Sequence, residues 1–504
     1  MDFTKEDIEL LKRHVSNIDK NIYVIYNLPP EVVAVLFAYV SRSPLSFREN
    51  LLKLIKSKDL DMGKLIHAFE LQGLDYEEAK EKARAFHEKW VVGYGHSSIA
   101  EHAVASIAIE NVSILASKVI EDNRLASYTE KSTRYQIFDK GKYYKPRNIM
   151  ESEFAKVYEE TCDSLFDFYA EAMPKMMEHM REKYPKPEDM PDRLYESITK
   201  ARACDVVRYV LPASTLTNIG MTANARTLEH MIRKLLSHPL KEMNDIGLAI
   251  KEEVKKIIPT LVKYANKNDY IVETNNVMEN LVKEMVKNEK PSPSKPVVLV
   301  GYDTEAENKT VASIIYKYSN LPYEQILKKV KAMSEEEKRK VINEYVKRMS
   351  KHDWPMRELE HVYYSFDILV DYGAFRDLQR HRMCTQTNQD VTIAHGFEMP
   401  KEFEEIGLGD GFTRQMESAK QTFEMIRAKL PKEAQYVVPL AFRKRTLFTI
   451  NLRELHHLIK LRSSKEGHIS YRRIAWLMHD EIMKVHPVLG KYIRIDRSEG
   501  PSRG

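Results

Sequence analysis

Apolar positions along the chain follow two rhythms. Short apolar runs at residues 22–26 and 297–300 predict strands. The segment HVYYSFDILV (361–370), rich in β-branched and aromatic residues and bounded by polar groups, predicts a half-buried strand. Elsewhere the period is helical. Asn224, Leu228, Met231 and Leu235 stand at i, i+4, i+7 and i+11, and Asn451, Leu455, Leu458 and Arg462 repeat that spacing. Each set predicts an amphipathic helix that starts at its asparagine. Long charged helical runs fill residues 151–183 and 411–430, and SEEEKRKVINEYVKRMSKHD (334–353) is a solvated helix face without a functional role.

The pattern occurs twice. Residues 35–53 resemble residues 312–329, and Glu101-His102 is matched by Glu360-His361. His102 precedes Arg124 by 22 residues and His361 precedes Arg382 by 21, while Pro212 to Asn224 and Pro439 to Asn451 are both 12 residues. Landmarks recurring in one order mark two copies of a domain. The Pro-rich polar stretch KNEKPSPSKP reads as a stiff linker. The expected organisation is a first domain over 1–286, a linker over 287–296 and a second domain over 297–504.

Composition narrows the function classes. Gly and Pro are few, at 17 and 21 of 504 residues, which favours helices and excludes a fibrous chain. The net charge of +5 permits a phosphate-bearing ligand without marking a DNA-coating protein. Three scattered cysteines without a CxxC, a charged N-terminus and no apolar run of membrane-spanning length point to a cytoplasmic protein. Neither GxGxxG nor GxxxxGK[ST] is present. Cys384, within RHRMCT, is read as a buried inert thiol.

Three segments carry candidate chemistry. RLASYTEKSTRY (124–135) packs arginines, serines and a glutamate at a density that can wrap a phosphate, or can equally be a polar loop with caps. Arg380-His381-Arg382 is placed where a helix ends, as a diphosphate clamp or as the complement of a helix dipole. His96 and His102 are six residues apart, the wrong spacing for a helical metal pair, so no metal is assigned. Arg462 lies on the same stripe as Asn451 with leucines between them, and such an arginine needs an anionic or strongly polar partner. The matching slot in the first copy is Leu235.

Together these segments resemble flavin-dependent thymidylate synthases, which carry R-H-R-x-x-S-x-N-E-x-S-x-R-Y. Upstream the family has G-H-x-S-x-x-E-H, and downstream R-x-V-L-P followed by N-x-R-x-L. The first copy has His96, Glu101 and His102, then Arg124, Ser127, Glu130, Ser132, Arg134 and Tyr135, then Arg208 and Pro212, then Asn224 and Arg226. The second has Arg380, His381 and Arg382, then Asn451, Arg453 and Arg462. Thr392 stands where the last signature Arg belongs, Gln435 where Arg208 has its twin, and Asp122-Asn123 where the first Arg-His belongs.

The resemblance implies an α+β fold of two tandem helix-rich domains with mainly antiparallel sheets. It implies reductive methylation of dUMP to dTMP with FAD as cofactor and NADPH and methylenetetrahydrofolate as co-substrates. It places His96, Arg380, His381, Arg382, Asn451, Arg453, Asn224 and Arg226 at the flavin. Arg124, Glu130, Ser132, Arg134 and Arg208 fall at the nucleotide, and Arg462 at the uracil N3, where a cation favours the anion. Family sites are shared between subunits of a tetramer, so the tandem chain is expected to be a homodimer of four domains. In the family the nucleotide loop and the base-polarising arginine belong to one subunit, whereas here each copy has only one of the two. A divergent flavoprotein acting on another pyrimidine nucleotide, or a nucleotide-binding paralogue without catalysis, are the alternatives.

Overall fold

A computed structural model describes residues 3–40, 43–56 and 99–498. Its packing defines two units that interleave in sequence. One comprises Met1–Glu110, Leu125–Glu130 and Asn218–Lys287; the other comprises Asn111–Arg124, Lys131–Thr217 and Asn288–Gly504. The compact units therefore do not follow the two sequence halves, because the larger one takes material from both copies. Helices and antiparallel sheets together make an α+β fold, with a three-stranded sheet in the order β1-β3-β2 (β1, Val104–Ser113; β2, Ala126–Glu130; β3, Leu216–Asn224).

The smaller unit is mostly helical. β2 pairs antiparallel with β3 from Ala126↔Ala223 to Glu130↔Ile219, so half of the RLASYTEKSTRY segment is strand rather than loop. The helix Ala225–Leu236 follows, with the Asn224 side chain accepting from Thr227 N–H, and Leu228, Met231 and Leu235 are buried as the stripe requires. A Cβ added to Gly247 would stand 2.9 Å from Leu235 Cβ, so a glycine is needed where the next helix crosses. Residues 22–26, expected to be a strand, make only an isolated bridge between Val15 and Ile25, and Ile22 is 88% exposed. The run pairs only with residues 14–16, where Ser16 N–H donates to Val24 C=O and Tyr26 N–H donates to His14 C=O, each at 3.0 Å, and the pairing is too short to make a strand.

Glu31 gives this unit a pH dependence. It is 3% exposed, accepts backbone N–H groups from Thr260 (2.9 Å) and Leu261 (3.4 Å), and burial pushes its carboxyl up to about 7 despite those two donors. A native pKa above the unfolded value means the folded chain binds the extra proton. Stability is full below the unfolded pKa and is lost as pH rises through about 7. Glu31→Gln keeps an acceptor and removes the charge. It is expected to melt like the parent near pH 5 and to exceed it by up to about 3 kcal/mol near pH 8. Equal melting temperatures at the higher pH would contradict this.

The larger unit holds a second sheet in the order β4-β5-β7-β6, antiparallel throughout (β4, Val297–Tyr302; β5, Tyr363–Asp371; β6, Thr385–Asn388; β7, Arg443–Asn451). The two predicted strands of the second copy are β4 and β5. Tyr364, Phe366, Ile368 and Val370 of β5 alternate into the core, as do Thr446, Phe448 and Ile450 of β7. The charged runs form the helices Ala155–Lys183 and Gly409–Arg427, and Ser334 caps Glu335–Val346 with a capping box.

The repeat is visible in how the twin segments meet. Pro212 and Pro439 form an antiparallel bridge. Around it Ala213 N–H donates to Val438 C=O (2.9 Å) and Leu440 N–H donates to Leu211 C=O (2.9 Å). Equivalent segments of the two copies thus bond to each other about a local two-fold relation. The buried hydroxyls of Thr161 and Thr422, on the two long helices, meet at 2.7 Å. The three cysteines are free and buried, and burial pushes the Cys162 thiol up to about 12 and the Cys384 thiol to about 11, which keeps both unreactive.

Candidate functional site

The larger unit gathers arginines from both copies around two buried carboxylates. The helix Asp192–Val207 carries Asp205 in its last turn, and Arg208 opens the 3-10 turn that follows. The short helix Tyr372–Leu378, capped by Asp371 accepting from Ala374 N–H (2.7 Å), carries Asp377 and ends just before Arg380-His381-Arg382, as the sequence predicts. The helix Leu452–Ser463, with Asn451 Oδ1 accepting from Glu454 N–H (2.8 Å), delivers Arg462 in its last turn. Tyr471 comes from the first turn of the helix Ile469–Val485, whose N-cap is His468.

Arg134 grips Asp205 with both prongs, Nε to Oδ1 at 2.6 Å and Nη2 to Oδ2 at 2.9 Å, and its Nη1 donates to the Tyr471 hydroxyl at 2.8 Å. The guanidiniums of Arg134 and Arg462 each lie 5.5 Å from the centre of the Tyr471 ring. Arg462 Nη1 is 3.7 Å from Asp377 Oδ1, and Arg208 Nη1 is 3.9 Å from Asp377 Oδ2. The anionic partner that Arg462 needs on its apolar stripe is therefore Asp377, a residue the motifs did not single out. Arg134 of the first copy and Arg462 of the second thus flank one tyrosine, so both copies bring an arginine to this cluster.

Arg208 is the outlier. It is 1% exposed and makes no hydrogen bond to any described residue, with Nε and Nη2 buried and without acceptors. An Arg side chain in that state is costly unless something anionic meets it. The electrostatics agree. Burial opposes ionisation of Asp377, but Arg208, Arg380, Arg462 and Arg134 together hold its carboxyl well below the usual range. Asp205 is likewise held low against burial, chiefly by Arg134. Burial and the Arg208 charge push His468 down to about 3, so the ring is neutral.

The other expected site residues divide sharply. Arg226 pairs with Glu101 at 2.5 Å in the smaller unit, and Arg453 pairs with Glu360 at 3.0 Å in the larger. Each copy thus neutralises the arginine of its own N-x-R with the glutamate of its own Glu-His pair. Asn224 and Asn451 spend their side-chain oxygens on helix caps. His381 is buried, with Nδ1 3.0 Å from Glu454 Oε1 and Nε2 accepting from Arg462 Nε at 3.0 Å. Arg380 is exposed and Arg382, half-buried, reaches the Arg124 carbonyl at 3.4 Å. These two remain at the surface corner with the chemistry of a diphosphate clamp. Ser132 Oγ accepts from Arg134 N–H (3.1 Å), and Glu130 is buried at the end of β2. His96 lies outside the described residues.

His381, Glu454 and His457 offer ligand atoms within 4.8 Å of one another. Both His381 nitrogens are already engaged, so a cation there would have to displace Arg462 or the proton shared with Glu454.

The sequence profile of the family described as "Thymidylate synthase complementing protein" (Thy1) matches residues 53–260 and again residues 298–488, once in each copy. The chain is 35% identical over 515 residues to a "UPF0159 protein" of Chlamydia muridarum, across 99% of this chain and 96% of the relative. It is 32% identical over 213 residues to a flavin-dependent thymidylate synthase of Sulfolobus acidocaldarius, across 42% of this chain and 72% of the relative. A solved flavin-dependent thymidylate synthase from Helicobacter pylori, complexed with FAD and dUMP, superposes with a TM-score of 0.30 at 17% identity, covering 40% of this chain and 99% of that one.

Proposed function

Because the chain belongs to the thymidylate synthase complementing protein family, we propose that it is a flavin-dependent thymidylate synthase of duplicated form, methylating dUMP to dTMP with methylenetetrahydrofolate and NADPH. The observation that carries this reading is Arg208, a buried guanidinium with no hydrogen bond to any described residue, beside Arg134 and Arg462. A phosphate monoester supplies the missing acceptors and the negative charge. In this reading Arg208 and Arg134 hold the nucleotide phosphate. Arg462 faces the base edge and favours its anion. Arg124 and Ser132 add nucleotide contacts. Arg380 and Arg382 hold the flavin diphosphate; His381, Asn451 and Arg453 support the flavin side. Bound FAD would supply the hydride that completes the methyl group.

In this reading each chain carries one filled set of the cationic positions. The twin positions of Arg134, Arg208, Arg462 and Arg380 are Thr392, Gln435, Leu235 and Asp122, none of them cationic. Gln435 instead holds its own loop, accepting from Val391 N–H at 3.0 Å. We read the protein as a cytoplasmic homodimer with two working sites; a monomeric mass in solution would oppose that assembly. No helix among the described residues is long and apolar enough to cross a membrane.

A second reading has a specific observation behind it. Arg134 already spends Nε and Nη2 on Asp205, which leaves less of it for a phosphate. A flavoprotein acting on another pyrimidine nucleotide, or a binder without catalysis, fits that arrangement. Purified protein mixed with FAD, dUMP, methylenetetrahydrofolate and NADPH is expected to yield dTMP. Turnover with a different pyrimidine nucleotide only would select the second reading, and a flavin-free protein that binds dUMP without product would select the last.

A further inference from the structure

Arg462 is aimed from behind. Its Nε–H donates to His381 Nε2 at 3.0 Å, so that nitrogen carries a lone pair and the ring proton must sit on Nδ1. That proton points at Glu454 Oε1, 3.0 Å away. The backbone N–H of Glu454 is capped by Asn451 (2.8 Å), which fixes the helix turn that carries it. His381 is 3% exposed and the Glu454 side chain 15% exposed, so water competes weakly for either bond. At the other end, neither Nη of Arg462 donates a hydrogen bond to any described residue. The guanidinium is pinned at Nε and presents its far edge.

We propose that Glu454 and His381 are positioning residues: Glu454 selects the His381 tautomer that accepts from Arg462 and so aims the arginine's far edge at the base of the bound nucleotide. The opposite tautomer would place Nε2–H against Nε–H, two donors face to face, and would turn Arg462 away. Burial and the Arg462 charge hold His381 well below its ordinary pKa, which keeps the ring in the neutral form the relay requires. The partner side of the proposal rests on the nucleotide reading above; the tautomer side does not.

The test uses Glu454→Leu and Glu454→Gln in the full-length chain. In the parent, nitrogen NMR of labelled histidine, with His381 assigned by the signal lost in His381→Gln, is expected to show a protonated Nδ1 and a bare Nε2. Glu454→Leu should lose that preference, and Glu454→Gln, which retains an acceptor, should keep it. A purely structural role for Glu454 predicts no tautomer change, and an unchanged tautomer in Glu454→Leu overturns the proposal. For binding, Glu454→Leu should weaken dUMP about tenfold or more while leaving deoxyribose 5-phosphate unaffected, with rescue in Glu454→Gln. Equal loss for both probes overturns the aiming role. If the parent binds neither probe, the nucleotide reading fails while the NMR result still decides the relay.

Discussion

Arg208→Met is expected to weaken dUMP binding by a factor of about a hundred or more while leaving the chain as stable as the parent or slightly more so. The two halves of that expectation have one cause. Arg208 is 1% exposed, and its Nε and Nη2 have no acceptor. A buried guanidinium in that condition costs several kcal/mol of desolvation that the fold recovers only in part, through Asp377 at 3.9 Å. Methionine fills similar volume without the charge. Removing Arg208 relieves that cost but takes away charge-assisted bonds to a phosphate, about 1.5–3 kcal/mol each. Asp377 keeps Arg462 at 3.7 Å and the field of Arg380 and Arg134. Calorimetry with dUMP and a thermal melt measure both. A variant that binds dUMP normally would remove Arg208 from the phosphate site, and one that melts far below the parent would show its charge to be satisfied within the fold.

Much of the fold was legible because its signals are local. The Asn224 and Asn451 caps, the buried stripe of Leu228, Met231 and Leu235, the long charged helices and the strand in HVYYSFDILV depend on residues a few positions apart. The expected strand at residues 22–26 stops at a single bridge to residues 14–16, an outcome set by pairing that no local pattern reveals. The site was legible by halves. Motif residues were found one by one, but the two carboxylates that organise them were not, since Asp205 and Asp377 belong to no repeated pattern. Glu454 was passed over for the same reason: its role exists only once His381 folds beside it. Packing cuts across the copies, so Arg134, Arg208 and Arg462 share one unit, and their twin positions hold only neutral residues.

Arg134→Ala is expected to destabilise the protein by about 3–5 kcal/mol, so loss of nucleotide binding in that variant alone would not report on the phosphate. The reason is Asp205. Its side chain is 3% exposed, and Arg134 donates to both of its oxygens, at 2.6 and 2.9 Å. Without the arginine a buried carboxylate loses its strongest charge partner. Asp205→Ala is the milder change, because Arg134 keeps the Tyr471 hydroxyl at 2.8 Å and the Glu466 carbonyl at 3.3 Å. The double variant Arg134→Ala/Asp205→Ala should therefore be more stable than Arg134→Ala, with a coupling energy of about 2–3 kcal/mol in the cycle. pH separates this from a packing defect. Asp205 is held below its ordinary pKa in the parent, so its contribution is present above the unfolded value and is lost as pH falls through the folded one. In Arg134→Ala the carboxyl protonates readily and the penalty disappears in acid, so the gap between parent and variant should narrow as pH drops from about 7 to about 4. A gap that stays constant over that interval, or single-variant losses that simply add, would mean that Arg134 and Asp205 act separately.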